Sequence, residues 1–314
     1  MSGGPTGGER VRTVFLGSGS FGAPALRRLA VHPSIEIVGI VTAPARPVGR
    51  HQVLTATPIG TLAAELGLSP VLVPGRLRAS EAIAAVLALG PALGVLADYG
   101  QIVPPGLLDL PHGALNLHPS ALPRWRGASP IPATILAGDT MTAVTLMKMD
   151  AGLDTGPVVA QASLVLAGDE TAPELEAHLA VLGADLLARS LDAWLRGDLD
   201  ARPQATDGVT LTRPLRREDG CLDPSRPAIE LERQVRAYLP WPGTFLQADG
   251  GRLVVAAASL APSELADVPG RLVRHAGLPA FTTVDGRLVL DVVTEPGRRP
   301  MSGADYLRGR RGPD

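Results

Sequence analysis

The apolar positions along this chain recur with two different periods, and the alternation between them predicts the elements of its first two-thirds. Residues 11–16 form an unbroken buried-type strand. Residues 24–30 follow as a helix with proline in its first turn, and 35–42 as a second strand. Helical spacing over 58–66 and 80–89, the latter with Ser80 as its cap, alternates with short apolar strands over 71–73 and 93–97. The rhythm continues with an alternating strand over 114–118, a helix over 130–137 and strands over 143–147 and 157–165. A long helix over 171–195 ends it. Strands that alternate with helices predict an α/β fold, a Rossmann-like, mostly parallel sheet with helices on both faces.

Beyond residue 200 the rhythm changes. Residues 201–220 are polar, with prolines and several arginines, and read as a linker. A helix over 228–239 comes next, then five short strands over 244–247, 252–257, 270–273, 280–284 and 287–292. Turns such as Asp249-Gly250-Gly251 and Asp285-Gly286 separate them, a pattern that suits a small β-barrel. The predicted division is a loose tail over 1–10, an α/β catalytic domain over 11–200, the linker, and a C-terminal domain over 221–314.

Composition narrows the class. A chain of 314 residues with 45% hydrophobic content can bury the cores of two domains. It holds no run of about 18 apolar residues, so no membrane span is expected. The glycine-rich first ten residues lack the apolar core of a signal peptide, and a cytoplasmic location follows as the expectation. Cys221 is the single cysteine, which excludes an internal disulfide and a thiolate zinc site. The six histidines show no metal spacing, so no metal is expected. Net charge is −2, but residues 1–200 carry 13 Lys and Arg against 17 Asp and Glu, whereas 201–314 carry 16 against 14. Lys148 is the sole lysine, a pattern of coding bias more than of phosphate recognition.

Two stretches could carry chemistry. Gly17-Ser18-Gly19-Ser20-Phe21-Gly22, directly after the first strand, fits the dinucleotide fingerprint, which makes a nicotinamide enzyme a competing class. That fingerprint requires an acid about 20 residues on. The second strand instead ends in Val41-Thr42-Ala43-Pro44; Arg46 and Arg50 could accept a 2′-phosphate, but the glycines read better as a tight turn in a fold that does not use NAD(P).

In the second stretch, Asn116 and His118 lie two apart on a strand and point the same way. A loop with two prolines, Arg124, Trp125 and Arg126 follows, and downstream Asp150 and Asp154 sit on a glycine-bounded loop. An amide, an imidazole and a carboxylate without a serine or cysteine nucleophile suit acyl transfer to an amine with no covalent intermediate. Asn116 and a protonated His118 would donate to the developing oxyanion, while Asp154 fixes the tautomer and raises the imidazole pKa. The plainer alternatives are a hydrogen-bonded strand end and an aspartate serving its own turn.

The wording of residues 116–131, with 149–156 downstream, closely resembles the signature of the folate-dependent formyltransferases, and within them the branch that acts on methionyl-tRNA. The likeness runs on through Arg236-Ala237-Tyr238, Trp241-Pro242 and 301–307, almost the full chain. It implies an OB-like C-terminal barrel and Asn116, His118 and Asp154 as the catalytic set. It implies 10-formyltetrahydrofolate as co-substrate, lying along Ser120, Ala121, Leu122 and Pro123, with Ala97, Asp98, Tyr99, Gly100 and Asp150 bordering the pterin. It also implies initiator methionyl-tRNA as partner. The loop over 43–57 would enter the acceptor end, with Arg46 and Arg50 on matching positions and Arg124 and Arg126 in support. Pro119 stands where glycine is usual, Ala121 where leucine is, and Gln52 and Val53 where lysines are. The rivals are a formyltransferase acting on an amino sugar nucleotide, a formylfolate hydrolase and a plain RNA-binding module. Arg298, Arg299, Arg308, Arg310 and Arg311 form a basic C-terminal stretch, either solvated or on phosphate. A monomer is expected.

Overall fold

Strand β1 (Val11–Gly17) buries Val14, Phe15 and Leu16 in succession. Successive residues of a strand face opposite ways, so both faces of the sheet at this point are covered. The structure, a computed structural model, describes residues 10–48, 52–248 and 251–309. Around β1 lie β2 (Ile35–Val41), β3 (Val71–Leu72), β4 (Leu93–Ala97), β5 (Ala114–His118), β6 (Met141–Lys148) and β7 (Val158–Val165). Their order across the sheet is β7-β6-β5-β4-β1-β2-β3. The pairs from β3 to β5 are parallel, and β6 turns antiparallel against β5.

The connecting helices are α1 (Ala23–Ala30), α2 (Pro58–Glu65), α3 (Ser80–Leu87), α4 (Pro130–Ala137) and α5 (Ala172–Arg196). Thr57 caps α2 by accepting from the Gly60 N–H at 2.9 Å, with Pro58 in the first position. At the start of α5, Glu174 accepts from both the Thr171 N–H (2.9 Å) and its hydroxyl (2.7 Å), which supplies the glutamate half of a capping box. The expected Ser80 cap is wrong. Ala79 holds the cap position without a side-chain bond, and Ser80 is already helical, its hydroxyl turned to Glu81.

Two stretches read as irregular carry structure. Within 43–57, Arg46–Val48 pairs antiparallel with Val53–Thr55. Arg50 lies outside the described residues, as do Asp249, Gly250, Arg310 and Arg311. Within 201–220, Arg202 and Val158 exchange backbone bonds at 2.7 and 2.8 Å, and Leu211–Thr212 lies parallel to Arg126–Gly127. What looked like linker is therefore partly built into the α/β unit.

The chain divides into two compact units. One takes residues 10–128, 141–164 and 176–212; the other takes 129–140, 165–175 and 213–309. The second unit contains β8 (Thr244–Ala248), β9 (Gly251–Ala261), β10 (Leu272–His275), β11 (Leu278–Thr282) and β12 (Arg287–Thr294). These form an antiparallel OB-like sheet of order β8-β9-β12-β11-β10, to which Met301–Ser302 adds on β12. Its core joins Leu253, Val255, Leu288, Leu290 and Val293 to Leu231 and Val235 of α6 (Ala228–Ala237) and Tyr306 of α7 (Gly303–Gly309). Helix α4 packs against α6 in this unit. Among the described residues no helix is long and apolar enough to cross a membrane.

Candidate active site

At the carboxyl ends of the parallel strands, Gly17 of β1 lies opposite Ala97 of β4. The loops there are stitched together: the Ser18 N–H donates to the Asp98 carbonyl at 3.0 Å, and the Ala43 N–H to the Ser18 hydroxyl at 3.1 Å. Gly19 has an ordinary extended backbone, φ −85° and ψ 178°, so conformation does not demand glycine. Space favours it, because a Cβ there would stand 1.5 Å from Asp98 Oδ2 and would turn that carboxylate aside. The glycine turn thus accommodates a carboxylate, and a dinucleotide phosphate approaching Gly19 would meet that negative group.

Asp98 is exposed as a residue, its carboxyl lies against Gly19, and burial raises its pKa with a smaller push from Glu176. The Ser20 hydroxyl donates to Glu176 Oε1. Tyr99 packs against the buried cluster that includes Leu16, Leu77, Leu96 and Leu107, and burial pushes its phenol up to about 12. Its hydroxyl has no hydrogen-bond partner among the described residues.

On β5, Leu115 and Leu117 are buried on one face while half-buried Asn116 and buried His118 share the other. His118 Nε2 lies 2.9 Å from the Trp125 carbonyl, which can only accept, so Nε2 carries the proton. Nδ1 faces Asp154 Oδ2 at 3.7 Å. The same Asp154 oxygen accepts from the Gly127 N–H at 2.7 Å. Trp125 and Asp154 both sit at positive φ, 59° and 51°, and Asp98 at 52°. A left-handed backbone without glycine costs on the order of 1–3 kcal/mol per residue, and here the strained positions bracket the imidazole.

The site corrects one expectation. Burial holds the His118 pKa below the ordinary histidine range, against the upward pull of Asp154 first and the Trp125 carbonyl second. The resting imidazole is therefore neutral, not the expected cation. Because β6 is antiparallel, its last residue Lys148 pairs with Leu115, and the chain then folds back through 149–153 to bring Asp154 to His118.

Residues 119–127 are tied down from within. Ser120 is fully buried, its hydroxyl donating to the Arg124 carbonyl at 2.6 Å and its carbonyl accepting from the Thr145 hydroxyl at 2.7 Å. Gln161 Nε2 donates to the Leu122 carbonyl at 2.9 Å. The side chains of Ala97, Ser120 and Leu122 are buried, while Ala121 and Pro123 are half-buried and Gly100 and Asp150 exposed. Asp150 accepts from the Thr155 hydroxyl at 2.8 Å and the Gly152 N–H at 3.0 Å, which shapes its loop.

Among the arginines, Arg46 is exposed on the hairpin and Arg124 stacks its guanidinium 4.1 Å from the Trp125 ring centre. Arg126 is committed inside the unit, its Nε and Nη2 donating to Gln204 Oε1 at 3.0 and 2.8 Å. Gln204 and Thr210 are site residues that the sequence reading missed, since they fall in the presumed linker. The Trp125 N–H donates to the Thr210 hydroxyl at 2.8 Å. The apolar-polar alternation of Val209, Thr210, Leu211 and Thr212 was the available signal. No cluster of His, Cys, Asp or Glu able to hold a metal occurs among the described residues.

Residues 11–191 match the formyl transferase family model, and 214–311 match that of the formyl transferase C-terminal domain. A methionyl-tRNA formyltransferase of Roseiflexus sp. (strain RS-1) is 43% identical over 303 residues, covering 96% of this chain and 93% of that protein. One of Halorhodospira halophila is 43% identical over 302 residues, covering 96% of each. The fold is similar to an N-formyltransferase of Helicobacter canadensis solved with folinic acid and dTDP-3-aminofucose. That match has a TM-score of 0.63 at 14% identity, over 91% of this chain and 99% of that one. It is also similar to the methionyl-tRNA formyltransferase of Clostridium thermocellum, with a TM-score of 0.54 at 15% identity over 82% of this chain and 95% of that one. With both family models matched and relatives of this identity aligned nearly end to end, the chain belongs to the formyltransferase family, in its methionyl-tRNA formyltransferase branch.

Proposed function

We propose that this chain transfers the formyl group of 10-formyltetrahydrofolate to the α-amino group of initiator methionyl-tRNA, in the cytoplasm and as a monomer. The observation that carries the chemistry is the buried, neutral His118 held between Asp154 and the Trp125 carbonyl, with Asn116 on the same face of β5. Attack of the neutral amine on the formyl carbon forms the new C–N bond and a tetrahedral oxyanion. The Asn116 amide donates to that oxygen. His118, with its lone pair on Nδ1, takes the proton shed by the attacking nitrogen. Asp154 and the Trp125 carbonyl stabilise the imidazolium while it lasts, and the proton then passes to the departing folate nitrogen as the old C–N bond breaks.

Folate lies along Ala121 and Pro123, with Ser120 and Leu122 as backing, and its pterin borders Ala97 to Gly100 and the loop of Asp150. Arg46, Arg50 and Arg124 take the tRNA, and Arg126 acts indirectly by bracing the site.

The test supplies pure protein with formylfolate and either methionyl-tRNA or an amino sugar nucleotide. Formylation of the charged tRNA is expected; formylation of the sugar amine alone would replace this reading. In the same assay Asn116→Ala and His118→Ala should each lower turnover about a hundredfold or more, the usual cost of an oxyanion donor for the first and of a general base for the second. Near-native turnover by His118→Ala would remove it from the mechanism.

A further inference from the structure

The side-chain amide of Gln204 makes four hydrogen bonds. Its oxygen accepts from Arg126 Nε at 3.0 Å and Nη2 at 2.8 Å, and its nitrogen donates to the Asp154 carbonyl at 2.7 Å and the Gly156 carbonyl at 2.8 Å. That meets an amide's full capacity of two donors and two acceptor sites. The bonds close a circuit: the Gly127 N–H holds the Asp154 carboxylate, Gln204 holds the Asp154 carbonyl, and Arg126, bonded to Gln204, is the residue before Gly127.

Asp154 needs such support. Its φ of 51° is an unfavourable backbone state for a side-chain-bearing residue, and it persists only where neighbours over-determine it. Gly156 is fixed as well, since a Cβ there would lie 1.9 Å from the Lys148 carbonyl. No other side chain of this length fits both ends of the circuit. A glutamate would keep Arg126 but turn an anion toward two carbonyl oxygens, and a methionine would fill the space with no donor at all.

We infer that Gln204 is a positioning residue for the formyl transfer: through the Asp154 and Gly156 carbonyls it holds the Asp154 carboxylate in register with His118. Thr210, six residues on, accepts from the Trp125 N–H at 2.8 Å, and the Trp125 carbonyl faces the other ring nitrogen of His118 at 2.9 Å. One segment of the supposed linker therefore braces both neighbours of the imidazole. This inference rests on the formyl-transfer reading, and wild-type turnover under the same conditions separates a failure of one from a failure of the other.

The experiment compares wild type with Gln204→Met and Gln204→Glu in steady-state formylation of methionyl-tRNA across pH. Active sites are counted by binding of a folate analogue. Both variants should lose roughly ten- to hundredfold in kcat per active site, as for a catalytic group displaced by about an ångström, with KM for the tRNA changed by less than about threefold. In Gln204→Met the acid limb of the kcat profile should also move to lower pH, because His118 loses the carboxylate that props up its affinity for the proton. Unchanged kcat and an unchanged limb in folded variants would overturn the inference. So would variants that cannot fold, or that lose active sites while the remaining ones turn over normally, since either result makes Gln204 a purely structural residue.

Discussion

A histidine 5% exposed, with a carboxylate at one ring nitrogen and a carbonyl at the other, is pulled two ways. Both neighbours favour the cation, and burial outweighs them. The consequence reaches stability. The unfolded chain takes up a proton near the ordinary value of 6.5, whereas the folded chain does so only at lower pH. Between those two values the unfolded form binds more protons, so the contribution of His118 is complete above 6.5 and is lost as pH falls through it. Thermal unfolding of wild type and of His118→Asn at pH 8 and pH 5.5 should show the steeper loss in wild type, worth up to about 1.4 kcal/mol per pH unit in that window. Parallel losses would mean that His118 charges freely in the folded protein. At this scale the site was legible where chemistry is local. Asn116 and His118 are two apart on a strand, so their shared face could be read from spacing alone. Gln204 was not, because its meaning lies in two carbonyls 48 and 50 residues away and in a guanidinium 78 residues away.

Among the elements, the turn from β1 into α1 shows how a correct pattern can carry a different cause. Its glycines match a phosphate-binding fingerprint, yet Gly19 faces the Asp98 carboxylate, which fills the space in front of it. Gly19→Ala should therefore turn that carboxylate aside at a cost of about 1 kcal/mol, the low end of the range for forcing extra volume into a filled site. Asp98→Gly in the same chain should restore most of that loss, since it removes the obstructing carboxylate and also relaxes the positive φ at position 98. A double-mutant cycle read by denaturant unfolding checks the pair, and strict additivity would dissociate Gly19 from Asp98. The strands and helices of the sheet were legible because they are long, apolar and periodic. The hairpin of 46–48 with 53–55 was not: Pro47 argues against a strand, and Val53 and Leu54 are exposed, leaving no buried face to set a period. Reversal of β6 was equally hidden, because a buried strand reads the same in either direction. That reversal is why Asp154 needs a returning loop to reach His118.

For the molecule as a whole, the order of the chain and the order of the packing differ. Composition places a boundary near residue 200, but residues 129–140 and 165–175 belong to the same compact unit as 213–309. Helix α4 buries Pro130, Ile131 and Ile135 and has α6 as its neighbour; Gly138 at its end lies so close to Arg233 of α6 that a Cβ would stand 2.3 Å from the guanidinium carbon. Arg236 of α6 likewise donates to the Glu170 carbonyl at 2.8 Å while its guanidinium pairs with Glu232. A fragment ending at residue 212 keeps the whole parallel sheet and every member of the Asn116, His118, Asp154 and Gln204 constellation, but it strips α4 of α6. Returning two isoleucines to water costs roughly 1.5–3 kcal/mol each, which is a large share of a folding stability of about 5–15 kcal/mol. The fragment should therefore melt well below the full chain, or lose its cooperative transition and bind a hydrophobic dye. Replacing Ile131 and Ile135 by threonine in the fragment should suppress the dye binding without restoring the melting temperature, because it removes exposed apolar surface and supplies no partner. A fragment that unfolds cooperatively at the temperature of the intact protein would show that α4 is held by the first unit alone, and the boundary near residue 200 would then describe how this protein folds.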